Sequence, residues 1–164
     1  MANLATATKP SKTPAATKIE DILDRPSNAA ERPKPMPAGT YLCVVQGLPR
    51  FDKSSKKQTP YVEFLLVPQQ AQNDVDPTEL EELGGLTDKT IKTTFYLTDN
   101  SEYRLTEFLD ACGIAEEDDE GEPLSHRARI EETPNCQVYC TMVHEPSQDG
   151  QRMFAKPGAF AIVE

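Results

Sequence analysis

The chain has 164 residues, a net charge of −10 and 37% hydrophobic residues. That length suits one domain with extensions, and no apolar run approaches the roughly 20 residues of a membrane span. The opening MANLATATKPSK lacks the apolar stretch of a secretory signal, so an intracellular, cytoplasmic protein is expected.

Residues 1–38 are rich in Ala, Thr, Pro, Ser and Lys and hold six of the 14 prolines. Such a composition buries too little apolar surface to offset chain entropy, which predicts a disordered tail. Within it Ile19-Glu20-Asp21-Ile22-Leu23 is able to form one helical turn. The domain is expected from Gly39 onward.

Thr40 to Leu48 reads as the first strand, ended by Gly47 and Pro49. Arg50-Phe51-Asp52-Lys53-Ser54-Ser55-Lys56-Lys57 follows as a basic loop, with four positive charges against one negative. Thr59 to Val67 is the second strand, in which Val62, Phe64 and Leu66 alternate against Tyr61, Glu63 and Leu65. Residues 69–88 form a long acidic insert, with a short helix at 77–83 stopped by Gly84-Gly85. Lys89 to Leu97 is the third strand, presenting Ile91, Thr93 and Phe95 on one face and Lys92, Thr94 and Tyr96 on the other.

Asp99, Asn100 and Ser101 are candidate caps for a helix. Leu105, Phe108, Leu109 and Cys112 recur at helical spacing, and Gly113 suits the stop. A second acidic loop covers 115–124, and a short helix is expected over 126–132. Asn135 to Val143 is the fourth strand. Gln151 to Ala155 is the fifth, with Phe160 to Val163 continuing it after an interruption at Pro157-Gly158. The order β–β–β–α–β–β predicts a mainly β chain resembling the OB-fold, a five-stranded Greek-key barrel. A mixed sheet of another topology is the alternative.

Acidity at first opposes nucleic-acid binding, but its distribution matters. Residues 39–164 carry eleven basic and twenty-three acidic residues. Eleven of the acids fall in two segments, 74–82 and 116–122, which leaves the remainder near neutral. The four cysteines, Cys43, Cys112, Cys136 and Cys140, form no CxxC pair, and His126 and His144 complete no zinc pattern. Reduced, mostly buried thiols are expected, with no metal and no cofactor. There is no phosphate loop, nucleophile elbow or paired helical histidine, so no catalytic set is predicted. Contiguous carboxylates as nuclease metal ligands are disfavoured, because on a loop they repel one another.

Single strands are held by a positive groove with aromatic faces on which bases stack. The candidates are Arg50, Phe51, Lys53, Lys56 and Lys57 in the basic loop, and Tyr61, Lys92 and Tyr96 on the second and third strands. Phe154 and Lys156 join them from the last hairpin. The runs PAGTYLCVVQGL, TPYVEFLLVP and KTIKTTFYLTDNSEYRLTEFLDACGI resemble small proteins of phage and prophage replication and recombination modules over about residues 38–115. The long acidic insert departs from their compact form. The resemblance implies a non-enzymatic single-stranded DNA-binding or recombination-accessory role in a bacterial host cell. Its partners would be single-stranded DNA and phage replication or recombination proteins. A second expectation is a phage structural or host-interaction protein, including an acidic DNA mimic, that uses the same fold on a protein partner.

Overall fold

The computed structural model describes residues 19–29 and 34–164. The chain divides into two units, Met1–Pro33 and Lys34–Glu164. In the first, α1 (Ile19–Leu23) is followed by a 3-10 turn at Ser27–Ala29, and Ile19, Ile22 and Leu23 are exposed. Residues 1–18 and 30–33 of the expected disordered tail lie outside the described residues. Residues 34–37, by contrast, belong to the folded unit. Pro37 is buried, its carbonyl accepts the Tyr41 hydroxyl at 2.7 Å, and the Met36 carbonyl lies 2.8 Å from His144 Nε2.

The second unit is mainly β: six antiparallel strands in one open sheet, with short helices. The strands are β1 (Gly39–Val45), β2 (Arg50–Lys53), β3 (Pro60–Ala71), β4 (Ile91–Tyr96), β5 (Gln137–Pro146) and β6 (Met153–Ile162). The helices are α2 (Pro77–Leu83), α3 (Glu102–Ala111) and α4 (His126–Ile130). No helix among the described residues is long and apolar enough to cross a membrane.

β3 is central. It pairs with β1 and then β2 along one edge and with β4 along the other; β1 also pairs with β5, and β5 with β6. Period-two alternation sends Tyr41, Cys43, Val45, Val62, Phe64, Leu66, Val138 and Cys140 inward. Helix α3 adds Leu105, Phe108 and Leu109 to this core. The Phe108 ring lies 4.7 Å from Phe64, 5.1 Å from Phe95 and 4.9 Å from Phe160, and so ties β3, β4 and β6 together. Burial first, and the Asp74 charge second, push the Tyr41 hydroxyl up to about 12.

Three sequence expectations need correction. The basic segment is not all loop. Arg50–Lys53 pairs with β3 from Arg50↔Glu63 to Lys53↔Pro60, and only the turn beyond it is irregular. Ser54 closes that turn by bonding Thr59 and Gln58, and Gln58 takes a φ of 54°. The last strand is not interrupted at Pro157-Gly158. A register shift opposite Thr141/Met142 absorbs the irregularity, and proline is tolerated in an edge strand because it owes the neighbour no donor. The strands number six rather than five, and no ladder joins β4 to β6.

The acidic insert is anchored. Asp74 accepts the Thr40 amide and hydroxyl, both at 2.8 Å, and these bonds hold its carboxyl below the usual range. Asp76 caps α2 through Thr78 and Glu79, and Gly84 ends it in the left-handed conformation. Val75 is buried against Gly39, whose φ is +134°. A Cβ at that position would meet Val75 Cγ2 at 2.6 Å and the Asp74 carbonyl at 3.0 Å, so only glycine fits beneath the insert.

Candidate nucleic-acid interface

Residues directly opposite across a ladder share a face of the sheet. Asp52 pairs with Tyr61 and Tyr61 with Tyr96; Arg50 pairs with Glu63 and Glu63 with Thr94; Leu65 pairs with Lys92. The outer face of β2, β3 and β4 therefore displays Arg50, Tyr61, Tyr96 and Lys92 together. Tyr61 and Tyr96 meet edge to face with centroids 6.1 Å apart. The Arg50 guanidinium donates to the Tyr61 hydroxyl at 3.0 Å and lies 5.9 Å from the Tyr61 ring centre. Tyr96 remains 48% exposed. An aromatic pair with a cation at its side offers a stacking surface and a phosphate contact in one place.

Carboxylates sit among these groups. Arg50 lies 3.6 Å from Glu63 and 3.5 Å from Asp52. The Arg50–Asp52 pair is exposed on both sides and worth at most about 1 kcal/mol. The Glu63 side chain is only 18% exposed, so a phosphate has to compete with a partly buried carboxylate for the guanidinium. Sequence reasoning had Glu63 on the right face but gave it no role.

Phe51 and Lys53 fall on the opposite face, because Phe51 pairs with Val62 and Lys53 with Pro60. Val62 beside it is fully buried, but Phe51 stands on the edge strand β2 and is 58% exposed. Phe51 therefore does not extend the Tyr61–Tyr96 surface. Lys56 and Lys57 lie exposed on the turn between β2 and β3. Phe154 pairs with Glu145 and Lys156 with Val143 on the β5–β6 hairpin, and the Lys156 ammonium is bonded to Glu145. That hairpin carries Met153 and Phe154 exposed at its end.

Sequence reasoning passed over Tyr103 and Arg104. They stand exposed on the first turn of α3, and Arg104 Nε donates to the Tyr103 hydroxyl at 3.3 Å. Their signal was available: adjacent polar and aromatic residues outside the Leu105–Phe108–Leu109 stripe face solvent.

Among the described residues no group of three or more His, Cys, Asp or Glu is placed to hold a metal ion. The four cysteines are free. Burial pushes the Cys112 thiol up to about 12. The contact with Cys43, together with burial, raises Cys140. His126 Nε2 lies 3.1 Å from Glu102, an exposed contact between α4 and α3. The sequence matches no protein-family model and no curated protein.

Proposed function

We propose that this protein binds single-stranded DNA without catalysing a reaction, in a phage replication or recombination module of a bacterial cell. The observation that carries this reading is the Arg50–Tyr61–Tyr96 cluster, which combines an exposed ring, Tyr96, a half-buried one, Tyr61, and a cation on the outer face of β2, β3 and β4. Phage replication or recombination proteins are the further partners it implies. The sheet supports an OB-type reading. β1 lies between β3 and β5, α3 falls between β4 and β5 in the chain, and Phe95 approaches Phe160 to 6.1 Å across the unpaired β4–β6 seam. In such barrels the faces of the second and third strands take oligonucleotides, and these correspond to β3 and β4.

Fluorescence anisotropy with labelled oligothymidylate tests the reading. Binding at low salt is expected to weaken as salt rises, with a log–log slope of about −0.7 for each phosphate neutralised. Tyr96→Ala is expected to weaken binding about tenfold, the loss of one stacked base. Lys56→Glu with Lys57→Glu is expected to weaken it and flatten the salt slope. Absence of any binding at low salt would sink the proposal.

A second reading has its own observation. The acidic segments are fixed, through Asp74 on Thr40 and through Asp118 Oδ1, which accepts the amides of Glu120 and Glu122 at 2.9 Å. Carboxylates held on a scaffold suit a phage protein that docks on a basic host surface, as a DNA mimic does. It takes precedence if oligothymidylate does not bind.

A further inference from the structure

The seam between β4 and β6 is a groove with a volume of about 460 Å³. Thr94 and Phe95 line one side, Tyr103 and Arg104 of α3 the end, and Lys156 and Phe160 the other side. The backbone along it is unpaired on the β4 side. The Leu97 amide donates to the Pro60 carbonyl at 2.8 Å, so by antiparallel alternation Phe95, Thr93 and Ile91 turn their backbone groups to β3. Tyr96, Thr94 and Lys92 turn theirs to the open edge, and the Tyr96 carbonyl there accepts the Ser101 hydroxyl at 2.8 Å.

The groove and the Tyr61–Tyr96 surface share β4. Tyr96, Lys92 and Thr94 stand on its outer face, and Thr94 also lines the groove. Tyr103 is 52% exposed and the Arg104 guanidinium lies 5.9 Å from its ring centre, a second cation–aromatic pair like that of Arg50 and Tyr61. Lys156 adds a cation from β6, paired with the exposed Glu145, a partner that a phosphate would displace; Glu107 is the one carboxylate among the lining residues. The volume is of the size that small-ligand clefts offer, about 300–1,000 Å³, and so admits a nucleotide.

We infer that a bound single strand crosses β4 from the Tyr61–Tyr96 pair and places a further nucleotide in the β4–β6 groove. There its base would stack on Tyr103 and its phosphate would meet Arg104 and Lys156. This rests on the single-stranded DNA reading above. It gives that reading a second subsite on α3 and β6, reached across the open strand edge rather than along the basic turn.

The test compares a short and a long oligothymidylate, of about four and about twelve nucleotides, within the range that one such module covers. It uses the full chain and the variants Tyr103→Ala, Arg104→Gln and Lys156→Gln. All three residues are exposed, and unchanged thermal melting of each variant shows that it is folded. For the long oligonucleotide each variant is expected to weaken binding three- to tenfold, with the short one bound as by the wild type. Equal affinity of wild type and all three variants for the long oligonucleotide overturns the inference while leaving the Tyr61–Tyr96 site intact. It would leave the groove to an extended peptide that ladders onto the free edge of β4. Failure of the wild type to bind either oligonucleotide instead overturns the parent reading.

Discussion

Arg129→Ala is expected to lower the free energy of unfolding by about 3 kcal/mol, the cost of losing three bonds from a buried cation. Among the described residues Arg129 is the one charged side chain that is buried. Its Nη2 donates to Asp110 Oδ1 at 2.7 Å and to the Ile114 carbonyl at 2.8 Å, and its Nε to the Ala115 carbonyl at 3.1 Å. Those two carbonyls end the turn that follows α3, so one side chain on α4 fixes where the chain leaves α3. Removal strands both carbonyls and empties the space filled by the aliphatic stem. Arg129→Lys is expected to recover only part of the loss, since one ammonium cannot occupy the positions of two guanidinium nitrogens. Urea unfolding followed by circular dichroism checks both variants. A loss below about 1 kcal/mol for Arg129→Ala would show that water replaces the network.

Phe108→Ala is expected to cost about 3–5 kcal/mol, the range for deleting a buried aromatic ring. Phe108 is fully buried and touches the rings of Phe64, Phe95 and Phe160. It therefore bridges two strand edges that have no ladder between them. The substitution should do more than open a cavity, because β4 and β6 lose the main apolar contact across their seam. In amide hydrogen exchange, β4 and β6 should lose more protection than β1 and β5. Phe108→Leu, which fills most of the space, should cost about a third as much. Equal loosening of all strands would mean that the core fails as one unit and that the seam has no separate stability.

How far the sequence carried these features depends on whether their causes are local. Helix α3 was legible because Leu105, Phe108, Leu109 and Cys112 repeat at helical spacing, and all four are buried in the structure. The inward faces of β3 and β4 were legible from the alternation of Val62, Phe64 and Leu66 and of Ile91, Thr93 and Phe95. β2 was not, because all four of its residues are exposed and its pairing depends on the register of β3, which local sequence does not encode. The same dependence misplaced Phe51: read as loop, it joins Tyr61, but read as a strand residue it faces the other way. Tyr61 and Tyr96 were each assigned the correct face, yet their direct opposition comes from a ladder between segments 35 residues apart. Arg129 carried no signal. In HRARI it resembles any surface arginine, and only the distant turn at Ile114–Ala115 makes it internal.

The buried thiols give the molecule a built-in record of its own opening. Cys43, Cys112 and Cys140 are enclosed in the core, on β1, at the end of α3 and on β5, while Cys136 is half-buried just before β5. Only thiolate attacks an alkylating reagent, and a thiol pushed up to about 12, as Cys112 is, is ionised at about one part in 10⁵ at pH 7. Modification of these sulfurs therefore waits on excursions that expose them. An excursion in which the reagent reacts before the site recloses is written permanently into the mass of the chain, at three separate points of one sheet and its plugging helix.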